Sequence, residues 1–231
     1  MKGVQVKMSN KDGVIKTEEI IVNGKVETKQ IYLQKENEGL SVYAIGERDL
    51  YLAGDIDTGS VAEVNAKMIA ALKNIKNANA TFKGYEVGHI NIFIQSGGGS
   101  IHDMWGLIDF MLTYPIPIYT YAVGLTASAA LSIFIAGSVR YVFPHATLMY
   151  HDLSAANSGK LQDINEWKEY LQIEQKKIED FVKTRTFMKQ KQIKEIREKK
   201  QDFYMDAKKA VELGFATKQF ECVDWGNITG E

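Results

Sequence analysis

Cysteine is nearly absent: the 231 residues hold one, Cys222. A single cysteine excludes an intrachain disulfide and suits a reducing compartment. Neither sign of charge is in excess. Lys and Arg number 28 against 29 Asp and Glu, a formal net charge of −1. Nothing therefore favours nucleic acid or an anionic membrane as partner. Long hydrophobic runs are missing too; the longest, around Ala127 to Ala136, is far too short to cross a bilayer. The start, Met1-Lys2-Gly3-Val4-Gln5-Val6, lacks the apolar core of a secretory signal. No His/Cys/Asp/Glu cluster has metal-ligand spacing, so no metal and no cofactor is expected. With 45% hydrophobic and 25% charged residues, the composition is that of a globular protein, expected in the cytoplasm.

Residues 1–45 read as an N-terminal arm of short strands or flexible chain, with Asn23-Gly24 as a hairpin signal between apolar bursts. From 46 to 231 the pattern is that of one domain. Strands are expected at Leu50–Gly54, His89–Ile94, Pro115–Val123, Arg140–Phe143 and Thr147–Tyr150. Helical spacing runs through Val61–Ile75, Ile101–Thr113 and Ser128–Ala136, and a loop is expected over Asn77–Tyr85. This alternation predicts an α/β fold with a mostly parallel sheet and covering helices. From Leu161 to Lys200 the chain turns rich in Glu, Lys and Gln, with apolar positions at Ile164, Trp167, Leu171, Ile178, Phe181 and Val182. That is one long amphipathic helix, which either covers the core or projects to a partner subunit. A short helix from Asp206 to Glu212 closes at Gly214.

Three motifs carry chemistry. Gly124-Leu125-Thr126-Ala127-Ser128-Ala129-Ala130 puts a serine where a strand gives way to a small-residue helix. There the helix dipole and the Ala129 N–H favour developing negative charge. Gln95-Ser96-Gly97-Gly98-Gly99-Ser100 is a glycine turn able to aim backbone N–H groups at an anion. His151, at the end of Leu148-Met149-Tyr150-His151, can accept the serine proton. Each motif also has a plainer use: a serine caps helices, glycines serve any turn needing positive φ, and a histidine can be satisfied in a core. His89, His102 and His145 are weaker candidates.

In this order the motifs resemble the proteolytic subunit of the Clp protease, a serine peptidase family with phage-type and translocation-enhancing relatives. The resemblance runs from about Tyr43 to Phe220 and includes Pro144-His145-Ala146-Thr147-Leu148-Met149-Tyr150-His151 and Ala207-Lys208-Lys209-Ala210-Val211-Glu212-Leu213-Gly214-Phe215. It implies the ClpP/crotonase-like spiral of ββα units, with a projecting handle helix over about 161–185. It implies Ser128 as nucleophile, His151 as general base, and the N–H groups of Gly99 and Ala129 as oxyanion hole. Ser100 and Ile101 match the edge where an extended substrate adds as a strand. A gapless count places the third triad member at Glu198; Glu195, Asp202 or no carboxylate at all are the alternatives. Gly97 stands where the family has proline, which loosens the turn.

The function implied is that of an ATP-dependent-type serine endopeptidase subunit. It would cleave unfolded polypeptide or peptide through an acyl-enzyme, in a heptameric ring or a tetradecamer of two rings, with an unfoldase ATPase as partner. The arm differs from the family's axial loops, which weakens that last expectation. The alternatives are a weak or inactive ring subunit or scaffold and a phage-type capsid-processing protease. An acyl-CoA enzyme of crotonase type and a Ser–Lys peptidase fit the ordered Ser and His less well.

Overall fold

The computed structural model describes residues 5–8, 14–22, 25–33, 48–81, 87–155, 158–199 and 201–221. The chain divides into two compact units, Met1–Ala44 and Ile45–Glu231. In the first, strands β1 (Gln5–Met8), β2 (Val14–Val22) and β3 (Lys25–Leu33) form an antiparallel sheet. Val22 pairs with Lys25, while Asn23 and Gly24 themselves lie outside the described residues, as does Cys222.

The second unit alternates strand and helix. Its elements are β4 (Asp49–Ile56), α1 (Thr58–Thr81), β5 (Ile90–Gly99), α2 (Ile101–Thr113), β6 (Ile118–Ala127), α3 (Ala129–Ala136), β7 (Val139–Val142) and β8 (Thr147–Tyr150). Then follow α4 (Leu161–Arg185), α5 (Gln190–Lys199), β9 (Phe203–Met205), α6 (Ala207–Glu212) and β10 (Lys218–Gln219). The sheet runs β10-β7-β6-β5-β4, with β8 paired to β6 and β9 to β8. All of these pairs are parallel except β8–β9. This is the expected α/β spiral, with α4 as its long helix.

The strands form because their apolar residues alternate. Ile90, Ile92 and Ile94 are fully buried on one face of β5. The helix α3 is buried on every side, as a helix apolar all round must be. Strand β6 changes partner along its length. Tyr119–Ala122 pairs with β7, then Leu125–Ala127 pairs with β8. That switch carries β8 to the carboxyl end of β6, where parallel α/β folds place their ligands.

Two expectations need correction. Asn77–Thr81 is helical rather than loop, the Thr81 hydroxyl donating to the Asn77 carbonyl at 2.7 Å; residues 82–86 lie outside the described residues. The stretch 161–200 is two helices, not one. At the break Phe187 N–H donates to Leu213 O at 2.8 Å, a bond made to another element instead of up the helix. The Thr186 hydroxyl donates back to Val182 O at 2.7 Å and accepts from Met188 N–H at 3.1 Å.

Candidate active site

The glycine turn is shaped by close approach. Gly98 and Gly99 have φ of 109° and 150°, a region side chains disfavour. A Cβ on Gly98 would lie 2.6 Å from Ser128 Cβ, and one on Gly99 would overlap the Ile56 carbonyl. The Ser96 hydroxyl accepts from Gly98 N–H at 3.0 Å and fixes the turn. Gly97 has open space where a side chain would stand, so nothing there demands glycine.

Ser128 sits between β6 and α3 at φ 55°, ψ −123°, and is the non-glycine residue with positive φ among those described. Its N–H donates to Met149 O at 2.9 Å, tying it to β8. Its carbonyl accepts from Leu131 and Ser132 N–H, which starts the helix. The hydroxyl makes no capping bond, so the plainer use does not hold here. Instead Oγ lies 2.8 Å from His151 Nε2. With Nδ1 protonated, the serine hydroxyl donates to Nε2. The first N–H groups of α3, Ala129 among them, have no acceptor within the helix by its geometry.

The register explains the meeting. Ala127 of β6 pairs with Met149 of β8 in parallel, so the residues just beyond both strand ends come out together. Across β8, Tyr150 pairs with Phe203 of antiparallel β9, so the next pair outward is His151 with Asp202. Asp202 Oδ1 lies 4.0 Å from His151 Nδ1, within ion-pair range but beyond a hydrogen bond. The Asp202 side chain is half exposed and its Oδ2 accepts weakly from the Tyr204 hydroxyl at 3.4 Å. Glu198 stands elsewhere: on exposed α5 it pairs with Lys194 at 3.5 Å. The gapless count points to Glu198, whereas the β9 register brings the Asp202 carboxylate beside the imidazole. Glu195 lines a separate cavity of about 300 Å³ with Lys199, Asp202 and Lys209.

Two of the other histidines stack on tyrosines, His89 on Tyr119 and His102 on Tyr170. Two further features carry no signal in the sequence. A small cavity opens beside Ser128, walled in part by Met104, Ser132, Tyr150, Asp152, Leu153 and Ile178. Behind the serine, Arg185 Nε and Nη2 donate to the carbonyls of Ile135, Ala136 and Gly137, each at 2.8 Å. Among the described residues no group of three or more His, Cys, Asp or Glu could hold a metal ion. No helix among them is long and apolar enough to cross a membrane.

Chemically, a hydroxyl bonded to an imidazole, facing unbonded helix N–H groups and a glycine turn, is equipped for attack on a carbonyl. A family model described as Clp protease matches residues 34–221. The chain is 25% identical over 185 residues to the ATP-dependent Clp protease proteolytic subunit 2 of Treponema denticola, covering 79% of this chain and 86% of that protein. It is 29% identical over 127 residues to the ATP-dependent Clp protease proteolytic subunit 1 of Shouchella clausii, covering 54% and 65%. With the subunit 1 of Rhodopirellula baltica it shares 23% over 187 residues, covering 80% and 77%.

Proposed function

The chain belongs to the Clp protease family, and from that premise we propose that it is a serine endopeptidase subunit acting through an acyl-enzyme. Ser128 Oγ attacks the peptide carbonyl carbon while His151 Nε2 takes the hydroxyl proton. The carbonyl oxygen, now an oxyanion, is met by the N–H groups of Gly99 and Ala129. The imidazolium returns the proton to the leaving amine and the C–N bond breaks. Water, deprotonated by His151, then cleaves the ester and restores the serine. Asp202 holds the imidazole with Nδ1–H outward and stabilises its charged form.

The observation that carries this reading is the 2.8 Å contact of Ser128 Oγ with His151 Nε2, made by a serine on a strained backbone. Strain of that kind, of order 1–3 kcal/mol, persists where function needs it. A fluorophosphonate probe tests it. The assembled protein should be labelled at Ser128 and should hydrolyse an unfolded polypeptide; an unlabelled, inert assembly would defeat the proposal.

The substrate proposed is unfolded polypeptide entering an oligomeric chamber, a heptamer or tetradecamer, in the cytoplasm, with an unfoldase ATPase as feeder. The names of the relatives, ATP-dependent Clp protease proteolytic subunits, support an ATP-dependent protease of several subunits. A second reading, a weak or inactive ring subunit, draws on the 4.0 Å gap between Asp202 and the imidazole. It predicts rings with no Ser128-dependent turnover.

A further inference from the structure

On the hydrolase reading, His151 must stay within hydrogen-bond reach of the serine proton. Yet β8 ends at Tyr150, and from His151 to Ala155 the chain belongs to neither strand nor helix. The base thus stands on the first residue of an irregular segment, and something must hold that segment in place. One tie is a bond to α4. The Leu153 N–H, just past the base, donates to Gln175 Oε1 at 2.9 Å. The other end of the same carboxamide donates to Glu179 Oε1, a helical turn further on, at 3.2 Å. Glu179 is buried, and it also accepts from Arg197 Nη1 at 2.7 Å and Gln190 Nε2 at 3.0 Å, both on α5. α4 itself is fixed here. Glu174 and Ile178 are buried on either side of Gln175, and Glu174 accepts from Trp105 Nε1 of α2 at 3.1 Å.

These partners fix the residue type as well as its position. A backbone N–H only donates and an ionised carboxylate only accepts, so the group between them must accept at one end and donate at the other. A carboxamide does both. Methionine, of similar length, offers at best a weak acceptor and no donor, and an ionised glutamate can only accept. The titratable groups around Gln175 are Glu179, Arg197, and Tyr150 and Asp152 on either side of His151. Resting on the hydrolase reading above, we propose that Gln175 is a positioning residue for the general base. Its carboxamide, kept in one orientation by Glu179 and the α5 donors, holds the Leu153 N–H and with it the backbone that places His151 Nε2 on Ser128 Oγ. Gln175 touches no reacting atom. It acts by keeping Nε2 and Oγ at their 2.8 Å contact, in a reaction where a misplacement of about 1 Å costs about a hundredfold.

The test compares the full chain with its Gln175→Met and Gln175→Glu variants. Fluorophosphonate labelling of Ser128, kcat and KM on a quenched fluorescent peptide, and calorimetry are the readouts. In Gln175→Met, kcat and the labelling rate should fall together by about ten- to a hundredfold, with KM within about threefold and the protein folded. In Gln175→Glu the new carboxyl lies beside buried Glu179, so it holds its proton to higher pH than in solution. Once protonated it accepts at one oxygen and donates at the other, as the carboxamide does. The ratio of variant to parent kcat should therefore rise at least about threefold between about pH 8 and about pH 6. Lost packing alone gives no such slope. A folded Gln175→Met that keeps the parent's kcat and labelling rate, or that loses activity only through KM, overturns the positioning role and leaves the hydrolase standing. A flat ratio in Gln175→Glu overturns the role whether or not Gln175→Met folds. A folded parent neither labelled nor active overturns the hydrolase reading and this one with it.

Discussion

Ser128 is held in its unfavourable backbone by what surrounds it, above all by Gly98, whose missing side chain makes room for Ser128 Cβ. Gly98→Ala must both strain a φ of 109° and overlap the serine. It should cost about 1–3 kcal/mol in a urea unfolding titration and abolish labelling of Ser128. Gly97→Ala, next door but in open space, should keep labelling and raise stability by about 0.4–1 kcal/mol through a stiffer unfolded chain. The third carboxylate is decided by a pair of variants. Asp202→Asn should lower kcat somewhere between about tenfold and 10⁴-fold, and Glu198→Gln should leave it unchanged. The reverse pattern would restore Glu198 to the site. Asp152 also sets a pH dependence. Burial, the largest influence, raises its carboxyl above the ordinary 3.8. The folded chain then holds the proton more tightly than the unfolded chain, so stability falls as pH rises through that ordinary value and stays lower above the folded one. Asp152→Asn cannot ionise. Its thermal midpoint should exceed the parent's at neutral pH, and the difference should shrink toward pH 3.8, measured by calorimetry across that range.

The helix α3 carries Ser128 at one end and is clamped at the other. Arg185, the last residue of α4, donates to three carbonyls at the α3 terminus. Arg140 Nη1 adds bonds to Ile135 O at 3.3 Å and to Arg185 O at 2.7 Å. Cations suit this end of a helix, where carbonyls lack partners and the dipole is negative. The clamp has a counter-cost: burial and the neighbouring Arg185 charge depress Arg140 to about 10. Arg185→Ala should destabilise the fold by about 2–4 kcal/mol, because buried carbonyls lose charged donors. Arg185→Lys should recover only part, since an ammonium cannot reproduce the planar fork. Urea midpoints for the two variants check both statements.

None of this clamp was readable in the sequence, because an arginine near a helix end does not announce which distant carbonyls it will meet. What was readable followed from period. α2 and β8 fall on the expected residues, Ile101–Thr113 and Thr147–Tyr150, since their apolar spacing and flanks are unambiguous. The Ser, His and glycine-turn residues were legible for the same reason, each standing at a strand end. The break at Thr186 was hidden by helix-favouring Glu, Lys and Gln on both sides, and it is made by a bond to remote Leu213. Asp202 was legible only as an alternative to Glu198, because its placement is a matter of strand register, which pairs β9 with β8 over a gap in sequence that counting cannot bridge.

At the scale of the whole molecule, the first half of α4 carries apolar side chains that the other described residues leave exposed. Leu161, Ile164 and Ile173 are 76%, 40% and 57% exposed, while Ile178 and Val182 further along are buried. Trp167 and Tyr170 pack on one another at 5.4 Å between ring centroids, on the same stretch. The helix is thus anchored by its second half and apolar where it projects, and side chains of this kind gain only when another surface removes them from water. On the proposed ring assembly, that surface is a second ring. The native mass of the full chain should then be seven or fourteen times 26.0 kDa. The double variant Leu161→Glu, Ile164→Glu should reduce a tetradecamer to single rings without lowering the melting point of the subunit by more than a degree or two, because neither side chain is buried within it. Light scattering reads the mass and calorimetry the stability. A parent protein with the mass of one or two chains would remove the chamber from the proposal, and a variant that stays double-ringed would move the contact away from the first turns of α4.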